Sequence, residues 1–243
     1  MAARILITGA STGIGAATAR EMAPGNTIFL HYNTSEREAG EVAVAVKEAG
    51  GTPHLLQADL SEKRGAELLA EQMNGLTDAL DLLVNNAGGI VKRETLDEME
   101  WDTMVETFTL NAFSTFMVTR WMLPLLRAGR RPQVINVTSV AMRTGSPTAI
   151  MYASSKGAVD TFTRGAAKTL APQIRVNAIA PGVIATPFHD KATSPDQFEQ
   201  FKAATPLQIV GPPEEVAQAV RFLHESSFIT GATIDVNGGM HMR

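Results

Sequence analysis

From its first residues onward the chain alternates short apolar runs with longer segments of helical spacing, and few architectures accept that order. Arg4–Thr8, Thr27–Tyr32, Pro53–Ala58, Asp81–Asn85, Gln133–Thr138, Ile174–Ala180 and Ala232–Val236 read as strands. Gly13–Met22, Glu36–Ala49, Lys63–Asn74, Asp97–Leu126, Tyr152–Leu170 and Pro213–His224 read as helices. Nearly continuous apolar strands separated by helices predict a parallel sheet covered on both faces. Right-handed crossovers make it an α/β, doubly wound sheet. Gly and Pro fall one or two at a time between elements, with no repeat and no linker, so residues 1–243 read as a single domain. Thr186–Gly211, with Pro187, Pro195 and Pro206 and little periodicity, is expected to form a substrate lid.

Composition removes whole classes of function. Apolar residues make up 44% of the chain and charged residues 19%, which excludes low-complexity disorder. The net charge of −4 offers no positive field for nucleic acid. The absence of Cys removes disulfides, thiolate metal sites and cysteine nucleophiles together. His241, between Met240 and Met242, is too isolated for a closed ligand set, so no metal site is expected. No apolar run reaches about 18 residues, so no membrane partner is expected. Met1-Ala2-Ala3-Arg4 lacks a signal-peptide layout, and a cytoplasmic location is expected.

The first strand runs into Thr8-Gly9-Ala10-Ser11-Thr12-Gly13-Ile14-Gly15. Glycine lets a turn adopt positive φ and lets the backbone approach a ligand. A following helix start presents free N–H groups to a phosphate. A tight turn alone would also use glycine; the place at a strand–helix junction near the chain start favours the phosphate reading. The spacing is not G-x-G-x-x-G.

Tyr152 and Lys156 stand four apart, on one face of a helix. A neighbouring ammonium is expected to lower the Tyr pKa from about 10 and make it a general acid–base. Ser139 follows the strand Gln133–Thr138, at the carboxyl edge where such sheets bind ligands. A surface Lys beside a half-buried Tyr would give the same pattern, yet the chain has only two Tyr. Asn85-Asn86-Ala87-Gly88 ends another strand, either as an Asx turn or as a tie between strand ends. Asn111 sits mid-helix, where Asn is unfavourable. It is either solvent-facing or the site of a kink with an exposed, water-binding carbonyl.

In this order, the turn Thr8–Gly15, Asp59, Asn85–Gly88, Asn111, Ser139, Tyr152-x-x-x-Lys156, Asn177, Pro181-Gly182 and Asp235-Val236-Asn237-Gly238-Gly239 resemble the short-chain dehydrogenase/reductase family. The likeness spans almost the whole chain and is nearest to 3-oxoacyl-[acyl-carrier-protein] reductase-like members. It implies a Rossmann-like fold of about seven parallel strands. It implies an NAD(P)(H)-dependent enzyme that interconverts a carbonyl and an alcohol of a small-molecule substrate, with Asn111, Ser139, Tyr152 and Lys156 as its catalytic set. Gly9, Ser11, Thr12, Gly13 and Ile14 would surround the pyrophosphate and adenosine ribose, and Asp59 and Leu60 the adenine. Asn86, Ala87 and Gly88 would line the cofactor, Lys156 would bind its ribose beside Tyr152, and Pro181, Gly182, Ile184 and Thr186 would cover its nicotinamide end.

The second strand ends in His31-Tyr32-Asn33-Thr34-Ser35, without the acidic residue that hydrogen-bonds a ribose 2′-OH. Tyr32, Asn33, Thr34 and Ser35 therefore favour NADP(H), with NAD(H) as the alternative, and His31 or Arg37 would add charge. A 3-oxoacyl thioester is one implied substrate; sugars, sugar acids and small ketones are others. Arg127, Arg130 and Arg131 would either meet an acidic carrier protein or simply complement a helix C-terminus. Pro172 or Gln173 stands where the family has a second basic carrier-binding residue. The family forms homotetramers or homodimers through Asp97–Leu126 and Tyr152–Leu170, and the stripe Met104, Phe108, Phe116, Met117 is expected in the core or at that interface. His189, in the expected lid, either touches substrate or faces solvent. A reading from another class is a non-catalytic dinucleotide-binding sensor on the same fold.

Overall fold

A computed structural model describes residues 2–187 and 194–242. Seven strands form one parallel sheet: β1 (Arg4–Ile7), β2 (Thr27–Tyr32), β3 (Thr52–Gln57), β4 (Leu82–Asn85), β5 (Gln133–Val137), β6 (Arg175–Pro181) and β7 (Thr233–Val236). Their order is β3-β2-β1-β4-β5-β6-β7, so the winding reverses between β1 and β4. That crevice is where open α/β sheets bind ligands.

Alternation along each strand builds the two faces. Ile5, Ile7, Leu82 and Val84 are buried on one side, against α1 (Gly13–Glu21), α2 (Glu36–Glu48) and a late helix, Pro213–Glu225. Leu6, Leu83 and Val134 are buried on the other, against α3 (Gly65–Asn74) and the helix Ser114–Ala128. Residues apolar on both faces can sit only inside such a sandwich.

The segment Asp97–Leu126 is not the single helix its spacing predicts. A 3₁₀ turn at Leu96–Glu98 comes first, closed by the reciprocal Thr95–Glu98 capping box. Then follow α4 (Trp101–Phe108), a π turn at Thr109–Phe113 and α5 (Ser114–Ala128). Next come the short α6 (Ala141–Thr144) and the long α7 (Ile150–Leu170). Thr186–Gly211 is not without regular structure: Pro195–Ala204 forms α8, and Pro213–Glu225 is α9. Ser194 and Gln197 cap α8 reciprocally, with Pro195 at its first turn. Asp81, expected to open β4, precedes it and accepts from the Arg4 N–H, the Arg4 Nε–H and the Arg130 N–H. The expected apolar stripe divides. Phe116 stacks on Phe162 at 4.4 Å between ring centres, whereas Met117 and neighbouring Phe113, Val105 and Trp101 are exposed.

Candidate active site

The chain leaves β1 at the carboxyl edge and turns sharply. Gly9 and Gly13 hold φ of +63° and +53°, where a side chain would be strained. A Cβ on Gly15 would come 2.2 Å from the Gly9 carbonyl oxygen, so only glycine lets α1 start against the turn. Thr12 caps α1 without a side-chain bond, and its first turn holds no acidic residue. The helix start is therefore open to an anion. A cleft of about 550 Å³ runs from this turn across the carboxyl edge of the sheet. Its shape and its uncapped N–H groups fit a dinucleotide pyrophosphate.

Thr8 and Asn86 close the floor of the crevice. Thr8 Oγ1 accepts from the Asn86 and Ala87 N–H groups at 2.9 and 3.0 Å. Asn86 Nδ2 donates to the Thr8 and Gly9 carbonyls at 2.9 and 3.0 Å, so it ties two strand ends rather than making an Asx turn. Behind it Asn85 donates to Thr119 and Asn136, and Asn136 donates to Thr163, each at 2.9 Å.

Tyr32, Asn33, Thr34, Ser35, Asp59 and Leu60 line one end of the cleft. The Ser61 hydroxyl holds the Asp59 carboxyl below the usual carboxylate range, and the Ser61 N–H and the Asn33 side chain add to it. His31 does not bring charge, contrary to expectation. Its Nδ1 accepts from the Gly9 N–H at 3.1 Å and its Nε2 lies 3.0 Å from the Ala58 carbonyl oxygen, which fixes the neutral tautomer with Nε2 as donor. Burial pushes its pKa down to about 4. Arg37 points to Glu38 and Glu41 on its own exposed helix face, so its charge is offset there.

Ser139, Tyr152 and Lys156 meet at the other end. Tyr152 and Ser139 share a hydrogen bond, and Lys156 Nζ donates to the Val137 carbonyl at 3.0 Å. Lys156 Nζ lies 5.8 Å from the centre of the Tyr152 ring. The expected lowering of the Tyr pKa is not found. Burial, which disfavours the phenolate, pushes Tyr152 up to about 12, against the smaller opposing effect of Ser139. Burial also brings Lys156 down to about 8.

Asn111 stands in the π turn and is fully buried, which excludes the solvent-facing reading. The kink is real, but the Asn111 carbonyl takes the Thr115 hydroxyl at 3.3 Å. A Cβ on Gly88 would lie 2.6 Å from Asn111 Oδ1 and 3.1 Å from Lys156 Nζ, so the chain passes between them only as glycine.

Every residue expected at the site lines this cleft except Asn111, which stands behind Gly89. Gly9, Ser11, Thr12, Gly13 and Ile14 lie at its phosphate turn, with Asn86, Ala87 and Gly88 across the crevice. Pro181, Gly182, Ile184 and Thr186 line it too, with the Thr186 methyl 3.0 Å from where a Cβ on Gly13 would stand. Sequence reasoning missed Ile90, Arg93, Thr144, Ser146, Thr148, Phe201 and Met240, which also line it. Phe201 sits on α8, which the pattern Ser194-Pro195-x-Gln197 announces. His189 lies outside the described residues. Arg130 and Arg131 border a separate hollow of about 280 Å³ with Asp81 and His224, at the amino edge of the sheet and away from the cleft. Among the described residues no group of three His, Asp or Glu is placed to hold a metal, and no helix is long and apolar enough to cross a membrane.

A family model described as "Enoyl-(Acyl carrier protein) reductase" matches residues 9–241. Cyclopentanol dehydrogenase of Comamonas sp. (strain NCIMB 9872) is 35% identical over 97% of this chain and 95% of its own. The Pseudomonas aeruginosa RhlG/NADP active-site complex superposes with a TM-score of 0.91 at 32% identity, over 99% of this chain and 96% of its own. NADH-dependent reductase A1-R′, responsible for alginate metabolism, superposes at 0.91 and 30% identity, over 100% of this chain and 98% of its own.

Proposed function

The chain belongs to the short-chain dehydrogenase/reductase family and is an oxidoreductase that uses a nicotinamide dinucleotide, and we propose that it interconverts a carbonyl and an alcohol at Tyr152. The observation that carries this reading is the meeting of Ser139, Tyr152 and Lys156 in the cleft that begins at the glycine turn. When bound, the dinucleotide supplies or accepts the hydride. The Ser139 hydroxyl, already bonded to Tyr152, orients the substrate oxygen. Tyr152 gives that oxygen its proton during reduction and takes it back during oxidation. Lys156, protonated below about pH 8, attracts the phenolate left behind, and it would hold the ribose of a bound cofactor. Asn111 is a positioning residue acting through Gly89, its main-chain carbonyl being taken by the Thr115 hydroxyl. A pure sensor has no need of the Ser139–Tyr152–Lys156 set.

NADP(H) is the favoured cofactor, because Tyr32, Asn33, Thr34 and Ser35 offer hydroxyl and amide groups and no carboxylate to a 2′-phosphate. NAD(H) is the alternative. A small carbonyl compound is favoured over a carrier-bound thioester, because Arg130 and Arg131 lie at the opposite sheet edge from the cleft. Thr186, Pro187 and residues 194–211, which place Thr186 and Phe201 in the cleft lining, serve as the lid, and the exposed Trp101, Val105, Phe113 and Met117 suit a homodimer or homotetramer. The test is loss of reduced-cofactor absorbance with an acetoacetyl thioester, a cyclic ketone and a sugar-derived oxo acid, with NADPH and NADH in parallel. NADPH-dependent turnover of any of these supports the reading; tight cofactor binding without turnover on a broad carbonyl panel overturns it in favour of the sensor.

A further inference from the structure

Ser139 opens a segment that has little stability of its own. Its Oγ accepts from the Ala141 N–H at 3.1 Å, and Ala141 begins α6, which is only four residues long. A helix of one turn needs packing or charge from outside to stay formed. The third residue of α6, Arg143, does not line the cleft, whereas its neighbour Thr144 does. The Arg143 guanidinium lies between carboxylates of two other elements. Its Nη1 is 4.0 Å from Asp160 Oδ2 on α7, and its Nε is 3.8 Å from Asp235 Oδ1 on β7. The Asp160 and Asp235 side chains are 7% and 18% exposed, so solvent screens these pairs little. Asp160 stands about one turn beyond Lys156 and two turns beyond Tyr152 on α7. It also accepts from the Thr233 hydroxyl at 2.6 Å and pairs with Arg164. Arg143 Nε and Nη2 are buried and hydrogen-bond to none of the described residues, so charge rather than directed bonding holds the group.

We propose that Arg143 is a positioning residue: it holds the segment carrying Ser139 against the helix carrying Tyr152, and so sets the Ser139–Tyr152 hydrogen bond. This rests on the carbonyl–alcohol reading above. The Val140 N–H, donating to the Pro181 carbonyl at 2.8 Å, fixes one end of the segment, and Arg143 fixes the other. Burying a charge that is incompletely hydrogen-bonded costs stability, and an apolar side chain of similar length would not incur that cost. What the charge adds is direction, because it draws α6 toward α7 and β7 at once. A displacement of about 1 Å at a group that orients substrate lowers turnover by up to about a hundredfold. Asp160 does not depend on Arg143, since Arg164 and Thr233 remain bound to it. The tie between α7 and β7 therefore survives in a variant that loses only the hold on α6.

The test is a double-mutant cycle, run on the thioester, cyclic ketone or oxo acid that the natural enzyme reduces fastest. Arg143→Met is expected to lower kcat about tenfold while KM and the NADPH Kd stay within about threefold. The same change made in Ser139→Ala should lower kcat by about twofold or less, because the group it acts through is already gone. Arg143→Gln removes the charge with less change of packing and stands in where Arg143→Met does not fold. A kcat within about twofold of the natural enzyme, or a loss of equal size with and without Ser139, overturns the proposal. A readout independent of turnover is amide hydrogen exchange. The α6 amides should exchange about tenfold faster in Arg143→Met, with those around Asp160 changed by about threefold or less. Equally faster exchange in both places shows a role in overall stability only and overturns the proposal. Turnover with an additive cycle defeats this inference alone. Absence of any carbonyl turnover by the natural enzyme defeats the functional reading and this inference with it.

Discussion

Asn111 grips both backbone groups of Gly89: its Oδ1 accepts from the Gly89 N–H at 2.9 Å and its Nδ2 donates to the Gly89 carbonyl at 2.8 Å. A third bond runs from Nδ2 to the Thr107 carbonyl at 2.9 Å. Asn111→Leu removes all three and strands polar groups away from water. The expected loss is about 2–4 kcal/mol of stability, read by urea unfolding. Turnover should fall about tenfold or more in protein that still folds. Undiminished turnover would remove Asn111 from the positioning role.

Tyr152→Phe keeps the ring and deletes the hydroxyl that faces Ser139. Turnover should fall by about a thousandfold or more, with cofactor affinity within about threefold. Cofactor fluorescence titration beside the absorbance assay checks both halves.

The pH profile should report Lys156. Its pKa lies near 8, whereas the Tyr152 proton is retained to about 12. As pH rises through about 8 the ammonium is lost, and kcat/KM for reduction should fall, because that ratio reports groups of the free enzyme. A flat profile from pH about 7 to 10 contradicts the assignment.

His31 ties the glycine turn to the end of β3 only while neutral. Its pKa falls from 6.5 unfolded to about 4 folded, so between those values the unfolded chain binds more protons. The contribution is complete above pH 6.5 and is lost as pH falls toward 4. It amounts to about 3 kcal/mol over that span. Chemical denaturation from pH 7 down to about 4 should show this slope in the natural protein and not in His31→Asn.

Tyr32→Asp places a carboxylate where a 2′-phosphate would sit. The ratio of kcat/KM for NADPH over NADH should drop by about tenfold or more. An unchanged ratio places the discriminating contact elsewhere.

The strand–helix order was legible because apolar periodicity is a local signal that burial on both faces enforces. Strand ends differ from the sequence reading by about one residue because the last ladder bond, not hydropathy, sets them. The π turn was only half legible: Asn111 marked a disturbance, but the partner that makes it worthwhile, Gly89, is 22 residues away. His31 was misread for the same reason. Its type suggests charge, and only its burial between Gly9 and Ala58 makes it neutral. Tyr152 and Lys156 were found by spacing, but not their desolvation, which depends on the whole cleft. Arg93 escaped notice because nothing in its neighbours shows that Glu94 will bridge to Ala149.

The crevice floor is sewn by Thr8 and Asn86, which lie 78 residues apart in the chain. Closing so long a loop is slow, and its entropy must be met before these contacts return anything. The half-site from β1 and α1 has no opposite side to its crevice until β4 docks. Cofactor binding therefore reports completed assembly rather than partial order. A ligand that recognises only the finished crevice stabilises it by about 2.7 kcal/mol at a hundredfold excess over its Kd. Added dinucleotide should therefore raise the midpoint of denaturation, and its removal should lower it, whether or not substrate is present.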